Sequence, residues 1–431
     1  MKDDMEQYVE ALRAAATAGD EYAAVKVAQD AHDAGVSLER LLLDVVAVAQ
    51  ARIGEEWAAN RLTVAQEHMA TAVNEGVLAV LANTIDTTDH GSAPLKWRLC
   101  VACVEGEWHT FPARLLTEVL RLRGWMVDYL GAHVPTRHLI VHLHRTAPDM
   151  VALSSSIATR LPAAHSAISA CQAAGTPVLV GGAAFGPDGR YARLLGADAW
   201  TPDARAAADL LDAGPLPRRH APGLSAERRP HLASHEYALF TDRKPDLVRG
   251  ALEELSWRVP ETGPRPAEPP VLTAEDVAFT VDFLGTAVYV NDPELFVSYT
   301  RWLAWTLTQR DAPPRALTAV LDALGARLTG LPHALDTLAR GGVRRRRALS
   351  RRASLQKVKS LPAKMDRGNK QVVRVGKETW RRSAAVLPGC TVRISLGGPK
   401  HTQPPRSFVR TVMGRGLRSP SMTPGCVPQK R

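Results

Sequence analysis

Glu105-Gly106-Glu107-Trp108-His109-Thr110 is the stretch on which the fold turns. It follows an apolar run, Leu99 to Val104, that reads as a buried strand. It precedes an amphipathic helix carrying Leu115, Leu116, Val119, Leu120 and Leu122. Glu107, Trp108 and His109 therefore sit on a strand-to-helix loop at the C-terminal edge of a sheet, where open α/β sheets bind ligands. A histidine there, two residues after a carboxylate, suits a metal ligand whose second ring nitrogen is oriented by Glu107. Most loop histidines bind nothing, so the surrounding chain must decide.

Downstream, strands and helices alternate. Strands are expected at 97–104, Trp125 to Leu130, Met150 to Ser155, Pro177 to Gly181 and Ala197 to Trp200. Helices are expected at 109–123, 136–146, 160–173, near 189–194 and at 203–212. This pattern implies a doubly wound, five-stranded parallel sheet. Three of its loops share one edge: those with His109, with Ser154-Ser155-Ser156 and with Gly181-Gly182. Hydroxyls and side-chain-free backbone suit the close approach of a large, flat, polar ligand. Cys100 and Cys103 mimic a C-x-x-C pair, but residues i and i+3 of a strand face opposite sides, so both read as packing. His138, His142 and His144 read as a solvated helix face, because no carboxylate or cysteine on that helix supports a metal.

Upstream, residues 5–85 read as four helices. Gly19 and Gly35 are placed to end the first two. The third carries Leu38, Leu42, Val45, Ala49, Ile53 and Trp57 on one face and stops near Asn60. The fourth opens at Thr63, with Gln66 three residues on to complete a capping box. In one continuous helix Trp57 and Glu67 would lie about 15 Å apart. A turn at Asn60 to Leu62 instead lets Trp57, Val64, Glu67 and His68 converge at one end of the bundle. The structural alternative is that Trp57 only continues a core stripe and Glu67 only meets a helix dipole.

The chain has 431 residues and a formal net charge of +10. Residues 341–431 hold 23 Lys and Arg against two acids, a net of +21, which leaves the rest of the chain at −11. Any polyanion argument therefore concerns the tail alone. Its composition cannot bury enough surface to offset chain entropy, so disorder is expected. Non-specific nucleic-acid binding and a read-through segment of a GC-rich reading frame fit this tail equally well. No apolar run reaches the ~20 residues of a membrane span, and Met1-Lys2-Asp3-Asp4 does not open a signal peptide. Five scattered cysteines point to reduced thiols and the cytoplasm. Residues 214–232 read as a connector. A second helical bundle follows, with helices at Lys244 to Val259, 274–290, 293–309 and 313–330 around a Pro-rich break at 260–270. Trp302, Leu303, Trp305 and Leu307 read as its core.

A helical bundle followed by a flavodoxin-like sheet with this loop histidine resembles the cobalamin-binding module. That module's Asp-x-His-x-x-Gly stands here as Glu107 to Pro112, its Ser-x-Leu as Ser154 to Ser156, and its Gly-Gly as Gly181-Gly182. The resemblance implies that His109 ligates cobalt in place of the cofactor's own base and that Glu107 hydrogen-bonds His109. Ser154, Gly181 and Gly182 would line the slot for the displaced nucleotide tail. Trp57 followed nine residues later by Glu67-His68 resembles the signature of CarH-type B12-dependent photoreceptor regulators. In that family the Trp covers the adenosyl group, and Glu and His complete its pocket, roles that fall to Trp57, Glu67 and His68, with Val64 beside them.

Departures qualify the resemblance. Pro112 replaces a glycine, in a helical first turn that tolerates proline. Ser156 replaces a leucine. Ala58 stands where the photoreceptors carry an upper-face histidine, so a bis-histidine light product through that position is not expected. The bundle begins within a few residues of Met1, so the photoreceptors' helix-turn-helix is expected to be missing.

The resulting domain reading is a helical bundle at 1–90, a cobalamin-binding domain at 95–214, a second helical domain at 235–340 and a basic tail at 341–431. The expected function is an adenosylcobalamin-binding sensor, without catalysis of its own, that signals to a regulatory protein partner. Light is a candidate signal, and a homo-oligomer is left open. The alternative is a corrinoid carrier for methyl transfer, which would favour methylcobalamin. A third reading, a scaffold that keeps the fold without binding, rests on Pro112 and Ser156.

Overall fold

The computed structural model describes residues 2–85, 97–217, 235–260 and 272–342. The Asp86–Lys96 linker, most of the 214–232 connector, the Pro-rich break beyond residue 260 and the basic tail beyond 342 lie outside the described residues.

The sheet has five parallel strands: β1 (Arg98–Cys103), β2 (Met126–Gly131), β3 (Met150–Ser154), β4 (Val178–Gly181) and β5 (Ala199–Thr201). Their spatial order is β2-β1-β3-β4-β5, the flavodoxin-like winding. All five residues of β3 are buried, as a parallel strand covered on both faces requires. The register pairs Cys103 with Ser154, Ser154 with Gly181, and Gly181 with Thr201. The C-terminal ends of β1, β3, β4 and β5 are thus level. The winding reverses between β1 and β3, and a crevice opens where their following loops part.

Residues of β1 alternate between two cores. Leu99, Val101 and Cys103 pack with the first bundle and with helices α5 (Phe111–Leu122) and α9 (Ala204–Leu211). Cys100 and Ala102 pack with α6 (Thr136–Thr146), α7 (Leu161–Ala173), α8 (Arg190–Leu195) and the second helical group. Burial pushes the Cys100 and Cys103 thiols up to about 12, so both are inert packing groups.

The first bundle comprises α1 (Lys2–Ala18), α2 (Glu21–Asp33), α3 (38–58) and α4 (Val64–Ile85). Within α3, Leu41–Val46 forms a π turn that buries Leu41, Leu42, Val45 and Val46. The break after α3 is built as its residues dictate. Asn60 takes the left-handed conformation at φ 57°. Thr63 N donates to Gln66 Oε1 at 2.9 Å, and Gln66 N donates back to Thr63 Oγ1 at 3.2 Å.

The second group comprises α10 (His235–Arg258), α11 (Ala274–Tyr289), α12 (Pro293–Gln309), α13 (Pro314–Arg327) and a further helix, α14, at 332–342. The sequence pattern did not mark α14. It also started α10 at Lys244, whereas the helix begins at His235 and runs through Pro245. An interior proline costs about 3 kcal/mol. Burial of Phe240 and Leu247 on either side of it offsets that cost. Phe240 lies against Gly285 of α11, where a Cβ would come within 2.7 Å of the ring. This group docks on the α7–α8 side of the sheet. Tyr191 Oη donates to Asp292 Oδ2 at 2.7 Å, and His165 Nδ1 lies 2.5 Å from Tyr289 Oη. No helix among the described residues is long and apolar enough to cross a membrane.

Candidate cofactor site

Glu107 is 1% exposed and uses both carboxylate oxygens. Oε1 accepts the backbone N–H of His109 at 2.9 Å and lies 2.5 Å from its Nδ1. Oε2 accepts the backbone N–H groups of Ser156 at 2.7 Å and Ile157 at 3.1 Å, and the Ser155 hydroxyl at 3.3 Å. Burial pushes the carboxyl up, but its bonds to His109 and Ser156 and the imidazole's charge outweigh this and hold it below the ordinary value. An ionised Glu107 accepts a hydrogen bond from Nδ1–H of His109, and in the neutral ring this tautomer leaves the Nε2 lone pair free. Nε2 has no hydrogen-bond partner among the described residues.

The loop is pinned from the side. Gly106 N donates to His133 Nδ1 at 2.8 Å, and the Trp108 ring stacks on His133 with centroids 5.0 Å apart. Thr110 Oγ1 donates to Glu75 Oε1 of α4 at 2.9 Å, tying the loop to the first bundle. Glu67 lies two turns closer to the start of α4, about 12 Å along the helix.

At that end of the bundle Trp57 is 3% and Glu67 4% exposed. Glu67 Oε1 accepts from Thr71 at 3.0 Å, the end of a polar ladder through Gln50 to Asn74. Glu67 Oε2 and Trp57 Nε1 are buried without a hydrogen bond. His68 Nδ1 lies 3.0 Å from Glu67 Oε2 but at an angle that makes no bond, and its side chain is exposed. Val64 is half-buried. Of the four residues placed here by the sequence pattern, two are buried in the bundle end and His68 is not.

Ser154, Gly181 and Gly182 do come together. They line a cavity of about 100 Å³ at the sheet edge, with Thr201, Pro112 and Leu116. Gly182 has φ 101°, and a Cβ there would stand 2.2 Å from the Ser155 carbonyl oxygen. Pro112 sits within the first two positions of α5. The backbone donors of Ser156 and Ile157 escaped sequence reasoning, because a backbone N–H leaves no side-chain signal. Thr201 escaped it too, because the sequence pattern ended this strand at Trp200, one residue short of the edge. His142 is not simply solvated, since its Nε2 lies 3.1 Å from Asp128 Oδ2.

No group of three or more His, Cys, Asp or Glu able to hold a metal exists among the described residues. A metal held in a macrocycle brings most of its ligands with it and needs only one or two from the protein. The free Nε2, the orphaned Trp57 and Glu67 atoms, and the slot that a side chain at residue 182 would fill all fit such a group.

Comparison with known proteins agrees. Residues 97–211 match the family described as the B12 binding domain, and residues 8–82 match a second family of the same description. Residues 97–211 are a B12-binding domain. The chain resembles the HTH-type transcriptional repressors CarA and CarH of Myxococcus xanthus. Identity to CarA is 34% over 127 residues, 28% of this chain and 41% of that one. Identity to CarH is 32% over 146 residues, 33% and 46% of the two chains. The chain thus spans less than half the length of either repressor. It is also 29% identical to dimethylamine corrinoid protein 3 of Methanosarcina mazei over 140 residues, 31% of this chain and 80% of that one. The solved Methanosarcina barkeri monomethylamine corrinoid protein aligns at TM-score 0.42 and 18% identity, covering 48% of this chain and 97% of its own. The chain is accordingly a B12-binding protein resembling CarH-type regulators.

Proposed function

We propose that this protein is a cobalamin sensor. It binds adenosylcobalamin between the first bundle and the sheet, with His109 on the lower face of cobalt and Trp57 over the upper face. Glu107 sets the tautomer that directs the Nε2 lone pair outward. Ser154, Gly181 and Gly182 take the displaced nucleotide tail, and Glu67 with Val64 and His68 completes the upper pocket. When bound, the cofactor supplies a cobalt–carbon bond that light can break. The chain itself performs no reaction in this reading; it works in the cytoplasm and passes the state of the upper ligand to a regulatory protein.

The carrying observation is Trp57 Nε1, buried without a hydrogen bond at the bundle end, beside Glu67 Oε2, which lies 3.0 Å from the exposed His68 ring without a hydrogen bond. Native proteins rarely leave such atoms unpaired unless something else satisfies them. A large upper ligand would supply such a partner, which favours adenosylcobalamin over methylcobalamin. The test is the absorption spectrum of the protein with adenosylcobalamin, in the dark and after green light. Bound cofactor with a light-dependent spectrum and a change of oligomeric state supports sensing. An unchanged spectrum and assembly removes light as the signal.

The second reading is a corrinoid carrier in methyl transfer. Dimethylamine corrinoid protein 3 favours it, because the alignment covers most of that protein. Tighter binding of methylcobalamin than of adenosylcobalamin would select this reading.

A further inference from the structure

The second helical group touches the site from both ends. At the upper end, the Trp302 ring of α12 lies 6.4 Å from the Trp57 ring, inclined at 35°. The Arg310 guanidinium stands 5.4 Å from the Trp57 ring centroid. Asn60 Nδ2, in the turn after Trp57, donates to the carbonyl of Gln309 at 3.1 Å. At the lower end, α11 packs on residues Ala158–Arg160, which directly follow the two backbone donors that hold Glu107. The Arg310 side chain makes no hydrogen bond among the described residues and is half-buried. Burial lowers its pKa and Asp276 opposes this, yet the group stays a cation. A half-buried cation whose ring contact is Trp57 depends on where that ring lies.

We propose that the second helical domain is a third wall of the cobalamin site, and that Trp302 and Arg310 read the upper ligand through Trp57. This rests on the sensor reading above and adds the receiver of its signal. The first bundle presses on α12 through Trp57 and Asn60, while the sheet presses on α11 through 158–160. Any change in the gap between bundle and sheet must move one of these contacts. The cores on the two sides of the sheet are separate, so this contact bridges them across the edge of the sheet that bears the site. Sequence periodicity assigned Trp302 to the interior of its own domain, and the structure gives it a second role.

The test uses the full chain with Trp302→Ala and, separately, Arg310→Gln. Each protein is titrated with adenosylcobalamin and with hydroxocobalamin, which share a corrin and differ in the upper ligand. Coupling between sites is reciprocal, so the ratio of the two dissociation constants should shift by about fivefold or more in either variant. In wild type, hydrogen exchange of 293–327 should differ between the two bound cofactors. Folded variants that keep the wild-type ratio overturn the proposal. Where both variants fail to fold, equal exchange of 293–327 in wild type with either cofactor overturns it. A wild-type protein that stays colourless with both cofactors removes the sensor reading and this inference together. A red wild type with an unchanged ratio removes this inference alone.

Discussion

Glu107 and His109 form a closed unit: one carboxylate oxygen takes both the backbone N–H of His109, at 2.9 Å, and its ring Nδ1, at 2.5 Å. The other oxygen is held by backbone donors from the loop after β3. One buried side chain therefore ties the ends of β1 and β3 together across the point where the winding reverses, and aims an imidazole outward from it. Fold and site share this group, so its removal should register in both stability and cofactor binding.

Glu107→Gln should destabilise the apoprotein by about 2 kcal/mol or more, because a neutral amide loses the charge-assisted bonds and sets an NH2 against existing donors. The folded carboxyl titrates below the ordinary value of 4.5. Its stabilisation is therefore complete above that value and is lost as pH falls through the depressed folded value. Chemical denaturation of both proteins should show a gap that is present above 4.5 and closes in stronger acid. A gap that persists undiminished in strong acid would contradict the geometry.

His109→Ala should weaken cobalamin binding by at least the ~10–100-fold typical of disturbing a ligand's orienting partner. The absorption bands of any cofactor that remains bound should match those of free cobalamin. Identical bands in variant and wild type would show that the cobalt is held without this imidazole. The apoprotein should also lose stability, since Glu107 keeps its burial but loses its ring partner.

The sheet and first bundle were legible because local signals agreed with the fold. Continuous apolar runs marked strands buried on both faces, Thr63 with Gln66 marked a helix start, and Asn60 marked the stop. Glu107 and His109 were legible because two side chains on one loop carry their own chemistry. Three features were hidden for physical reasons. The Ser156 and Ile157 donors are backbone, whatever their side chains. The Trp57–Trp302 contact joins elements far apart in the chain, and periodicity sees only local faces. The first turns of α10 were masked by Pro245, whose cost is met by Phe240 packing on another helix.

Pro112→Gly restores the glycine common to similar motifs, and little should follow. Pro112 lies in the first turn of α5, where its missing N–H had no helical partner. Cobalamin affinity should stay within about twofold, the ±0.5 kcal/mol range of mild surface changes. Stability should fall by about 0.4–1 kcal/mol, because glycine frees the unfolded chain. A large gain in affinity would mean that the proline ring, which lines the cavity, obstructs the slot.

Gly182→Ala is the sharpest test of the slot itself. The residue has φ 101°, which alanine adopts only with strain, and its Cβ would stand 2.2 Å from the Ser155 carbonyl oxygen. That carbonyl accepts the Ala184 N–H at 3.1 Å, and Ser155 N donates to the Gly181 carbonyl at 3.1 Å. The loops after β3 and β4 are thus laced together at this point and cannot part cheaply. Relief of the clash must push Ser155 away from Gly182. Ser155 immediately precedes the Ser156 donor that holds Glu107, so the shift should reach His109 as well as the cavity. Alanine should cost more than the ~1 kcal/mol of a tolerated glycine replacement. It should also weaken cobalamin binding and alter the absorption bands of whatever remains bound. Gly181→Ala adds a methyl group to the same slot without that clash, since its Cβ would meet nothing nearer than the Thr201 carbonyl at 3.7 Å. Equal losses of folding stability in the two variants would remove the close approach at residue 182 as the cause.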